Sequence, residues 1–467
     1  MSIYINNSLT RKKEEFIPIN PPEVNIYTCG VTVYDESHIG HARSLYVFDI
    51  IRRYVAYRGF KVKFVRNITD IDDKIIKRAN ELQVDWKDLV RKYIDRYYED
   101  LASLGIERAD FEPRATENIP EMIKYIQSLI EKGFAYASGG DVYFNVRKFT
   151  DYGKLSGQSI EQMETGVRIE PTELKNDPLD FALWKKSKEN EPFWDSPWGN
   201  GRPGWHIECS VMSQKFLNTD TLDIHAGGRD LIFPHHENEI AQAEALTGKP
   251  FAKYWMHGGL LTINAQKMAK SLGNFITIKD FITKYKYPDL LKFFFLSAHY
   301  SSPIDYTEEK IEEARQAIER IVILLDKIEK GNLGAKAQVP SNRLNEIDLI
   351  RENFFKAMDD DFNTPEAIAA IFELVNLTNK NIADQSFTHN AEAALRELLN
   401  LLGLRLDFSN GKDDSNDVKE IDELINQRIS LKKEKKFAEA DQIRNDLEAR
   451  GIILEDTKSG TTWRRKL

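Results

Sequence analysis

The sequence is short of the features that mark secreted or membrane-bound proteins. It has only two cysteines, Cys29 and Cys209, far apart in the chain, so no disulfide framework is predicted. No apolar run approaches the roughly 20 residues that a membrane-spanning helix needs. The first residues also lack the basic and apolar segments of a signal peptide. These absences together predict a cytoplasmic protein without membrane contact.

The chain also lacks an excess of positive charge, since its formal net charge is −9. This argues only weakly against nucleic acid, because an RNA-binding protein needs a local basic face rather than a basic total. Any RNA contact is expected to be confined to patches and to be sensitive to salt. The length of 467 residues is too great for one simple core, so roughly two to four domains are expected.

What the chain does contain is a pair of short, informative segments placed far apart. The first, residues 38–41, reads HIGH and follows a strand-like run at residues 24–33. It opens a helical pattern in which Leu45, Phe48 and Ile51 recur on one face. A strand that leads through a glycine-bearing turn to a helix N-terminus can bind an anion, because free backbone N–H groups and the helix dipole point at the ligand.

The second segment, residues 267–271, reads KMAKS and supplies two cations. Lysine and histidine side chains at such a site can stabilise charge that develops on a transferring phosphate. Each segment alone is a weak signal, and the alternative is a helix start with two surface histidines. In this order, the pair resembles the two ATP signatures of the class I aminoacyl-tRNA synthetases.

Alternating strand-like and helical patterns predict an α/β fold with a Rossmann-type parallel sheet. Turn-rich, aromatic sequence up to about Gly201 indicates an insertion that splits this sheet domain, and apolar spacings of three and four after residue 307 indicate an α-helical bundle. The closing segment predicts a small α+β domain. The predicted divisions are residues 1–110 and 201–250 for two catalytic Rossmann halves, 111–200 for a connective insertion, 251–306 for the KMAKS-bearing region, 307–405 for the bundle and 406–467 for a C-terminal anticodon-binding domain.

Finer signals mark the second half of the chain. Thr364 before Pro365 predicts a helix N-cap followed by proline at the first helical position. The polar residues 406–417 are the predicted linker, followed by one or two charged helices and a hairpin over residues 452–466. The bundle seam is predicted from Ile311, Ala314, Ile318, Ile321, Leu325 and Ile328.

The two cysteines belong to a candidate metal site. Cys29 ends the first predicted strand, and Cys209 lies in a segment that also contains histidine and glutamate. On a helix beginning at Pro234, His235 and Glu239 would share one face, whereas His236 would point elsewhere. Two thiolates, an imidazole and a carboxylate make a plausible zinc set. The alternative, that these are buried structural cysteines, stays open on spacing alone.

A wider resemblance covers essentially the whole chain. It is similar to the cysteinyl-tRNA synthetases over residues 28–30, 67–74, 204–209, 233–239, 267–271, 357–365 and 461–465, and at His225. This resemblance implies ATP-dependent activation of L-cysteine to cysteinyl-adenylate and transfer of the cysteinyl group to the terminal adenosine of tRNA(Cys). It also implies one Zn²⁺ per chain, Mg²⁺ with the ATP, and a monomer.

The resemblance also assigns roles to residues. It implies zinc ligands at Cys29, Cys209, His235 and Glu239. It implies a cysteine pocket at Gly30, Thr69, Trp205 and His225. It implies ATP contacts at His38, Gly40, His41 and Lys270, and catalytic roles for His38, His41, Lys267 and Lys270.

Zinc would then select the substrate, because a thiolate is a soft ligand and a serine hydroxyl is a poor one. Such recognition can reject an analogue by roughly 10⁴ or more, which makes a separate editing domain unnecessary. The chain departs from the family at Ala269, where a serine is usual. The missing hydroxyl predicts a modest change in ATP affinity, worth about 0.5–1.5 kcal/mol.

Two questions of partner remain open from the residues. Trp463 could stack on a splayed base while Arg464, Arg465 and Lys466 pair with phosphates, or the tryptophan could be packed in a hairpin with a solvated basic tail. A rival function keeps the adenylate chemistry but uses an amino sugar as the acceptor. A second rival is a non-catalytic zinc-containing RNA-binding protein.

Overall fold

The computed structural model describes residues 2–166, 174–331, 341–406, 415–457 and 460–465. Its strands in chain order are β1 (Tyr4–Asn7), β2 (Lys12–Glu15), β3 (Glu23–Thr32), β4 (Lys61–Thr69), β5 (Ala135–Ser138), β6 (Asp141–Phe144), β7 (Phe181–Lys186), β8 (Gly201–Pro203), β9 (Leu222–Gly228), β10 (Ala252–Gly258), β11 (Leu261–Ile263), β12 (Gln266–Lys267), β13 (Ile304–Tyr306), β14 (Ile452–Thr457) and β15 (Gly460–Arg465).

The α-helices in chain order are α1 (Ile39–Tyr57), α2 (Asp73–Leu82), α3 (Trp86–Leu104), α4 (Ile119–Glu131), α5 (Ile160–Gly166), α6 (Trp205–Leu217), α7 (Glu237–Thr247), α8 (Ile278–Tyr285), α9 (Pro288–Leu296), α10 (Glu308–Gly331), α11 (Ser341–Asp359), α12 (Thr364–Lys380), α13 (Gln385–Leu401), α14 (Ser415–Lys433) and α15 (Phe437–Ala449). Short 3-10 turns cover Ala115–Asn118, Val146–Lys148, Arg229–Leu231 and Lys270–Leu272, and a π-helical turn covers Ile232–His236.

The central sheet contains four strands in the order β10-β9-β3-β4, and all of its pairings are parallel. The succession β3, α1, β4 confirms the predicted β-α-β unit, and the Rossmann-type fold class is confirmed with it. Helix α1 packs on the sheet through Leu45, Phe48, Ile51 and Val55, all of which are buried. Buried apolar faces of this kind are what hold a doubly wound sheet between its helices.

The strand order changes direction between β3 and β9. From β3 the chain moves outward to β4, and it returns much later to place β9 on the other side of β3. In such sheets ligands bind in the crevice beyond the carboxyl ends of the strands at the point of reversal. The loops that follow β3 and β9 therefore mark where a site is expected.

In sequence, an antiparallel sheet, β5-β6-β7-β8, is inserted between β4 and β9 of the central sheet. Its core is continuous with helices of the central domain, since Phe144, Leu183 and Trp184 share one hydrophobic cluster with Ile207 and Ile240. The chain therefore packs the intervening segment directly against α6 and α7.

The helices after residue 307 pack through the predicted seam, and every residue of that seam is buried. The predicted cap of α12 was wrong by one residue. Asn363 is the N-cap and its side chain accepts a hydrogen bond from the Glu366 N–H, while the Thr364 hydroxyl donates to the Leu296 carbonyl. Pro365 is therefore the second helical residue, whereas the sequence predicted it to be the first; it still lies in the first turn, where the N–H groups have no partner within the helix.

The last described residues form two helices and an antiparallel hairpin of β14 and β15. They have a core of their own, built on Ile421, Ile425, Leu447, Ile452 and Leu454. Residues 407–414 of the predicted linker lie outside the described residues. Its last three residues belong to α14, which begins at Ser415, so the linker prediction extended too far.

In the described part of the chain, no helix combines the length and the apolar character that crossing a membrane requires.

Candidate active site

The HIGH segment folds into the start of α1 as a self-capped turn. His38 is the N-cap, and its Nδ1 accepts hydrogen bonds from the N–H groups of Gly40 at 3.1 Å and His41 at 3.2 Å. His41 Nδ1 in turn accepts from the His38 N–H at 3.4 Å. The prediction of free N–H groups at this helix start was therefore wrong for two of them, because the Gly40 and His41 N–H groups bond to His38 itself.

The side chains of His38 and His41 become the donors instead. Their rings are stacked with centroids 3.7 Å apart. Burial lowers the pKa of His38 to about 4, against the opposing charge of Asp230, and lowers the pKa of His41 to about 3. Both rings are thus neutral near pH 7. Since each Nδ1 accepts, each ring carries its proton on Nε2, where it can donate to a phosphate oxygen.

Gly40 is required by the packing of this pair. A Cβ at this position would lie 2.9 Å from Cε1 and Nδ1 of the His38 ring. That separation is shorter than ordinary carbon contacts of about 3.5–4.0 Å, so a larger residue would push the ring out of place.

A cleft opens beside the two histidines, at the carboxyl end of β3. Its lining includes His38, His41, Asp35, Lys270 and Phe275. The cleft therefore joins the first motif to the second, across a distance of more than two hundred residues in sequence.

Lys270 reaches into this cleft from the KMAKS segment. Its ammonium pairs with the Asp35 carboxylate and lies 4.9 Å from the centre of the Phe275 ring. Lys267 is exposed on β12 and is absent from the cleft lining. The structure thus brings one of the two predicted lysines to the histidine pair.

Asn274 holds the KMAKS backbone. Its Oδ1 accepts from the Ala269 N–H at 2.8 Å, and its Nδ2 donates to the Lys267 carbonyl at 3.2 Å. One amide side chain thereby closes the segment on itself. The hydroxyl that Ala269 lacks is not needed for this closure.

The four predicted metal ligands converge at the neighbouring part of the sheet edge. Cys29, Cys209, His235 and Glu239 place one donor atom each within 4.8 Å of the others. The Sγ atoms of Cys29 and Cys209 are 3.8 Å apart, Cys209 Sγ is 3.6 Å from His235 Nε2, and Cys29 Sγ is 3.5 Å from Glu239 Oε1. His235 Nε2 lies 2.9 Å from Glu239 Oε1.

The prediction that His236 points away from His235 and Glu239 was wrong. His236 Nε2 is 3.2 Å from Cys29 Sγ, and Cys29, His225, His236 and Glu239 form a second possible ligand set. The reason is local: residues 232–236 form a π-helical turn in which Phe233 has φ −137° and ψ 132°, and the regular helix begins only at Glu237. Helical spacing therefore does not apply across His235 and His236.

In this cluster Cys209 and Glu239 carry the ionised forms that bind a metal, whereas Cys29 and His235 keep a proton that a metal would have to displace. Despite its burial, the pKa of His235 is raised to about 10 by Glu239 and Cys209. Burial raises the pKa of Cys29 well above its usual value, whereas Cys209, despite its burial, is lowered to a pKa of about 6 by hydrogen bonds with Cys29 and His235. Burial alone would raise the pKa of Glu239, but His225 and His235 hold it well below its usual range. Thiolate and carboxylate are the forms that bind metals.

Outer histidines hold the inner ones in place. The Nδ1 atoms of His206 and His235 are 2.9 Å apart, and His236 Nδ1 is 2.8 Å from His257 Nε2. His257 Nδ1 contacts the Ser8 hydroxyl at 2.8 Å. Contacts of this kind fix the ring orientation and the tautomer of a metal-binding histidine.

The four predicted pocket residues surround this cluster. His225 Nε2 is 2.6 Å from Glu239 Oε2, and the Trp205 ring stacks on His235 with centroids 4.1 Å apart. Gly30 follows Cys29, and a Cβ there would lie 1.6 Å from the Asn67 carbonyl oxygen. The Thr69 hydroxyl donates to the Glu208 carboxyl at 2.7 Å.

Sequence reasoning missed several residues of the site. Asp35 and Asn274 flank the two motifs by a few positions, and proximity was the only signal that could have found them. Asn67 and Glu208 lie inside segments that resemble the family, but as side chains without a ligand role they carried no separate signal. Asp230, at the 3-10 turn after β9, lies close enough to His38 to influence its charge.

Models of known families match three parts of the chain. Residues 15–316 match the family described as tRNA synthetases class I (C) catalytic domain. Residues 353–407 match the DALR domain, and residues 418–464 match the Cysteinyl-tRNA ligase anticodon binding domain. The last match argues against the amino-sugar rival, which has no need of such a domain.

Solved structures resemble the fold at low identity. Methionyl-tRNA synthetase from Mycobacterium tuberculosis, in complex with methionyl-adenylate, aligns with a TM-score of 0.60 at 14% identity, over 81% of this chain and 90% of that one. A putative arginyl-tRNA synthetase from Campylobacter jejuni aligns with a TM-score of 0.56 at 13% identity, over 82% and 93%. The fold and the catalytic-domain match thus place the chain among the class I aminoacyl-tRNA synthetases.

Sequence relatives narrow this class further. The cysteine–tRNA ligase of Anoxybacillus flavithermus is 51% identical over 100% of both chains, and that of Aquifex aeolicus is 50% identical over 100% of this chain and 99% of its own. The chain belongs to the cysteine–tRNA ligase family. It is therefore an enzyme that charges tRNA with cysteine, and the family's amino acid, ATP and tRNA are its substrates.

Proposed function

We propose that the chain activates L-cysteine with ATP to give cysteinyl-adenylate and passes the cysteinyl group to the 3′-terminal adenosine of tRNA(Cys). The observation that carries this proposal is the juxtaposition of two sites at one sheet edge: a sulfur-rich donor cluster at Cys29 and Cys209, and the histidine-lined cleft at His38 and His41. An amino acid held by its thiol at the first would extend its carboxylate toward a nucleotide in the second.

The donor set fits zinc. Metal–ligand distances of about 2.0–2.3 Å give tetrahedral edges of about 3.3–3.8 Å, and the Cys29–Cys209, Cys209–His235 and Cys29–Glu239 separations are 3.8, 3.6 and 3.5 Å. The fourth separation, His235–Glu239, is 2.9 Å, so this pair would have to open slightly around a metal. We propose Cys29, Cys209, His235 and Glu239 as the ligands, because this set includes both sulfurs. His225 and His236 then act as the outer partners of Glu239 and Cys29.

When bound there, zinc supplies a soft centre that coordinates a substrate thiolate and accepts a serine hydroxyl poorly. The chain's own residues do the rest of the selection. Trp205 stacks over His235 and covers one side of the cluster, and Gly30 leaves room where a side chain would collide with the Asn67 backbone.

His38 and His41 are proposed to stabilise the α-phosphate of ATP as the cysteine carboxylate attacks it. Neutral Nε2–H donors suit this role, because they bind the growing negative charge without first forming an ion pair that would have to be broken. We propose that Lys270 leaves Asp35 and binds the departing pyrophosphate. Lys267 is proposed to bind the pyrophosphate as well when the KMAKS segment moves. Mg²⁺ is proposed to accompany the phosphates.

For tRNA we propose binding through the C-terminal domain, supported by the family match at residues 418–464. The contacts of Trp463 support the packed alternative and not base stacking. Its Nε1 donates to Asp422 at 3.0 Å, and its ring packs on the core of the C-terminal domain. The side chains of Arg464 and Arg465, and residue Lys466, lie outside the described residues. We further propose a cytoplasmic monomer with the domain divisions given above, supported by the family resemblance.

The proposal is tested in one preparation by three measurements. We expect about one zinc per chain, cysteine-dependent exchange of pyrophosphate into ATP, and charging of a tRNA(Cys) transcript. Serine should support exchange at least about 10⁴-fold less well. A metal-free preparation that still prefers cysteine sharply, or an adenylate consumed by amines and not by tRNA, would overturn it.

A further inference from the structure

A chain of three hydrogen bonds, two of them fully buried, runs beside the donor cluster and contains none of the proposed metal ligands. The Gly30 N–H donates to Asn67 Oδ1 at 2.8 Å, Asn67 Nδ2 donates to the Thr69 hydroxyl oxygen at 3.3 Å, and that hydroxyl donates to Glu208 Oε2 at 2.7 Å. Gly30 and Thr69 are proposed pocket residues. Asn67 and Glu208 have no role in the function proposed so far.

Asn67 connects three elements of the site. It lies on β4 with 2% of its surface exposed, and its amide reaches Gly30 on β3 and Thr69 at the end of β4. Its Oδ1 is also 3.7 Å from the Sγ of Cys209, on α6. An amide suits this position, because it carries an acceptor and a donor in a fixed relation on one plane.

Glu208 fixes the other end of the chain. It precedes the ligand Cys209 on α6 and is 1% exposed. Within the described residues, Oε2 bonds to Thr69 and Oε1 has no hydrogen-bond partner. Burying a carboxyl group with one oxygen unsatisfied is unfavourable, so folding alone does not account for a glutamate here.

We propose that Asn67 and Glu208 are positioning residues for substrate cysteine, which together set the Gly30 N–H and the Thr69 hydroxyl at a fixed place relative to Cys209. This inference rests on the proposed activation of cysteine. It follows that cysteine recognition depends on a polar chain outside the metal ligands, as well as on the metal.

The bonding also defines what Thr69 offers to a ligand. A hydroxyl has one proton and two acceptor positions. The proton goes to Glu208 and one acceptor position receives Asn67 Nδ2. The position that remains can only accept, which suits the ammonium group of an amino acid and does not suit its carboxylate.

The test uses the full-length zinc-loaded protein and measures pyrophosphate exchange with cysteine and ATP varied in turn. Glu208→Met removes the acceptor at similar volume, and we expect it to raise the KM for cysteine at least tenfold with the KM for ATP changed less than twofold. Glu208→Gln keeps an acceptor oxygen and should return the cysteine KM to within about threefold of wild type. Equal rises in both KM values, or no rescue by glutamine, would overturn the proposal.

A double-mutant cycle tests whether the chain acts as a unit. Thr69→Val and Glu208→Met each break the same bond, so the double variant should raise the cysteine KM no more than the worse single variant. Multiplied effects would show independent roles and contradict the proposal.

Zinc content and the absorption spectrum of the cobalt-substituted protein should stay unchanged in every variant, since no ligand is altered. A changed spectrum would assign the effect to the metal site instead and overturn the proposal.

Asp223→Asn is the matched control. Asp223 is a buried carboxyl that accepts hydrogen bonds from the Ile19 and Asn25 N–H groups. It lies at the start of β9, away from the carboxyl end where the donor cluster lies. We expect a lower melting temperature and an unchanged cysteine KM. If Glu208→Met fails to fold, Thr69→Val and Glu208→Gln carry the same comparison. Calorimetric binding of cysteine to zinc-loaded protein keeps the inference testable even if wild-type exchange fails, which would count against the proposed function alone.

Discussion

His38 and His41 illustrate how a short motif specifies chemistry at the scale of single residues. The two Nδ1 atoms accept backbone N–H groups of the same turn, which fixes both rings and directs both Nε2–H donors outward. Burial keeps the rings neutral. The glycine between them is as necessary as the histidines, because it leaves room for the His38 ring.

Gly40→Ala should separate activity from stability. The new Cβ would meet the His38 ring at 2.9 Å, and displacing a positioned group by about 1 Å can cost about 10²-fold in rate. We expect pyrophosphate exchange to fall about 10- to 100-fold. The melting temperature should change little, since alanine favours helix by up to about 1 kcal/mol over glycine, while displacing the His38 cap costs about as much. Wild-type exchange rates in this variant would show that the ring position is unimportant.

The buried imidazoles also predict a pH dependence of stability. The pKa of His41 is lowered by burial from its ordinary value of 6.5 to about 3, so the unfolded chain binds one more proton between these values. The free energy of unfolding should therefore decrease as pH falls below about 6.5, by up to about 1.4 kcal/mol per pH unit for this group.

Urea unfolding of His41→Gln between pH 7.5 and 4.5 checks this dependence. In the variant, the free energy of unfolding should depend less steeply on pH, by the contribution of about one proton. His389→Gln, an exposed position on α13, is the control and should keep the wild-type slope. Parallel curves for His41→Gln and wild type would contradict the assignment of a neutral buried ring.

At the scale of elements, the KMAKS segment is organised by a residue outside it. β12 ends at Lys267, the 3-10 turn begins at Lys270, and Asn274 bonds to the Lys267 carbonyl and to the Ala269 N–H. The backbone thus takes its shape without the serine hydroxyl that the family usually carries. This explains why Ala269 is compatible with an ordered segment here.

Asn274→Ala should loosen the segment while leaving the cysteine pocket intact. Two hydrogen bonds of about 1 kcal/mol each are lost, so we expect kcat for exchange to fall about tenfold with an unchanged KM for cysteine. Asn379→Ala is the control, because that amide bonds only within its own helix, to the Val375 carbonyl. An unchanged kcat in Asn274→Ala would show that the segment is shaped by other contacts.

At the scale of the whole molecule, the donor cluster joins elements that are distant in sequence. Cys29 comes from β3, Cys209 from α6, His235 from the π-helical turn and Glu239 from α7. A metal held by these four residues would therefore stabilise the packing of the sheet against α6 and α7 in addition to binding substrate.

Removal of the metal by a chelator should affect the two substrates differently. Cysteine binding should weaken at least about 100-fold, because its coordinating centre is lost. ATP binding should change less than about threefold, because the cleft at His38 contains no ligand of the cluster. The melting temperature should fall by several degrees, as expected when a ligand of the folded state is withdrawn. Zinc should restore all three values and Mg²⁺ should not; unaltered cysteine binding in the metal-free protein would contradict the proposed site.

By itself, the sequence determined the class of fold, the helix that follows the HIGH motif, the bundle seam and the four residues that meet as donors. The fold class, the helix and the seam follow from periodicity, which is a local property. The four donor residues were predicted from residue chemistry together with the resemblance to a family. It misplaced His236, the α12 cap and the free N–H groups at α1, because each depends on one or two dihedral angles or on which acceptor lies nearest.

Only the tertiary structure decided how side chains distant in sequence share their hydrogen bonds. Asn67 lies beside Gly30 because β3 and β4 are parallel neighbours, and it reaches Cys209 because α6 packs against both strands. Lys270 pairs with Asp35 because the 3-10 turn after β12 lies beside the residues that follow β3. A linear pattern cannot show such pairings, since the distance between two side chains is set by the packing of whole elements. That packing brought the histidine-lined cleft and the donor cluster to one edge of the sheet.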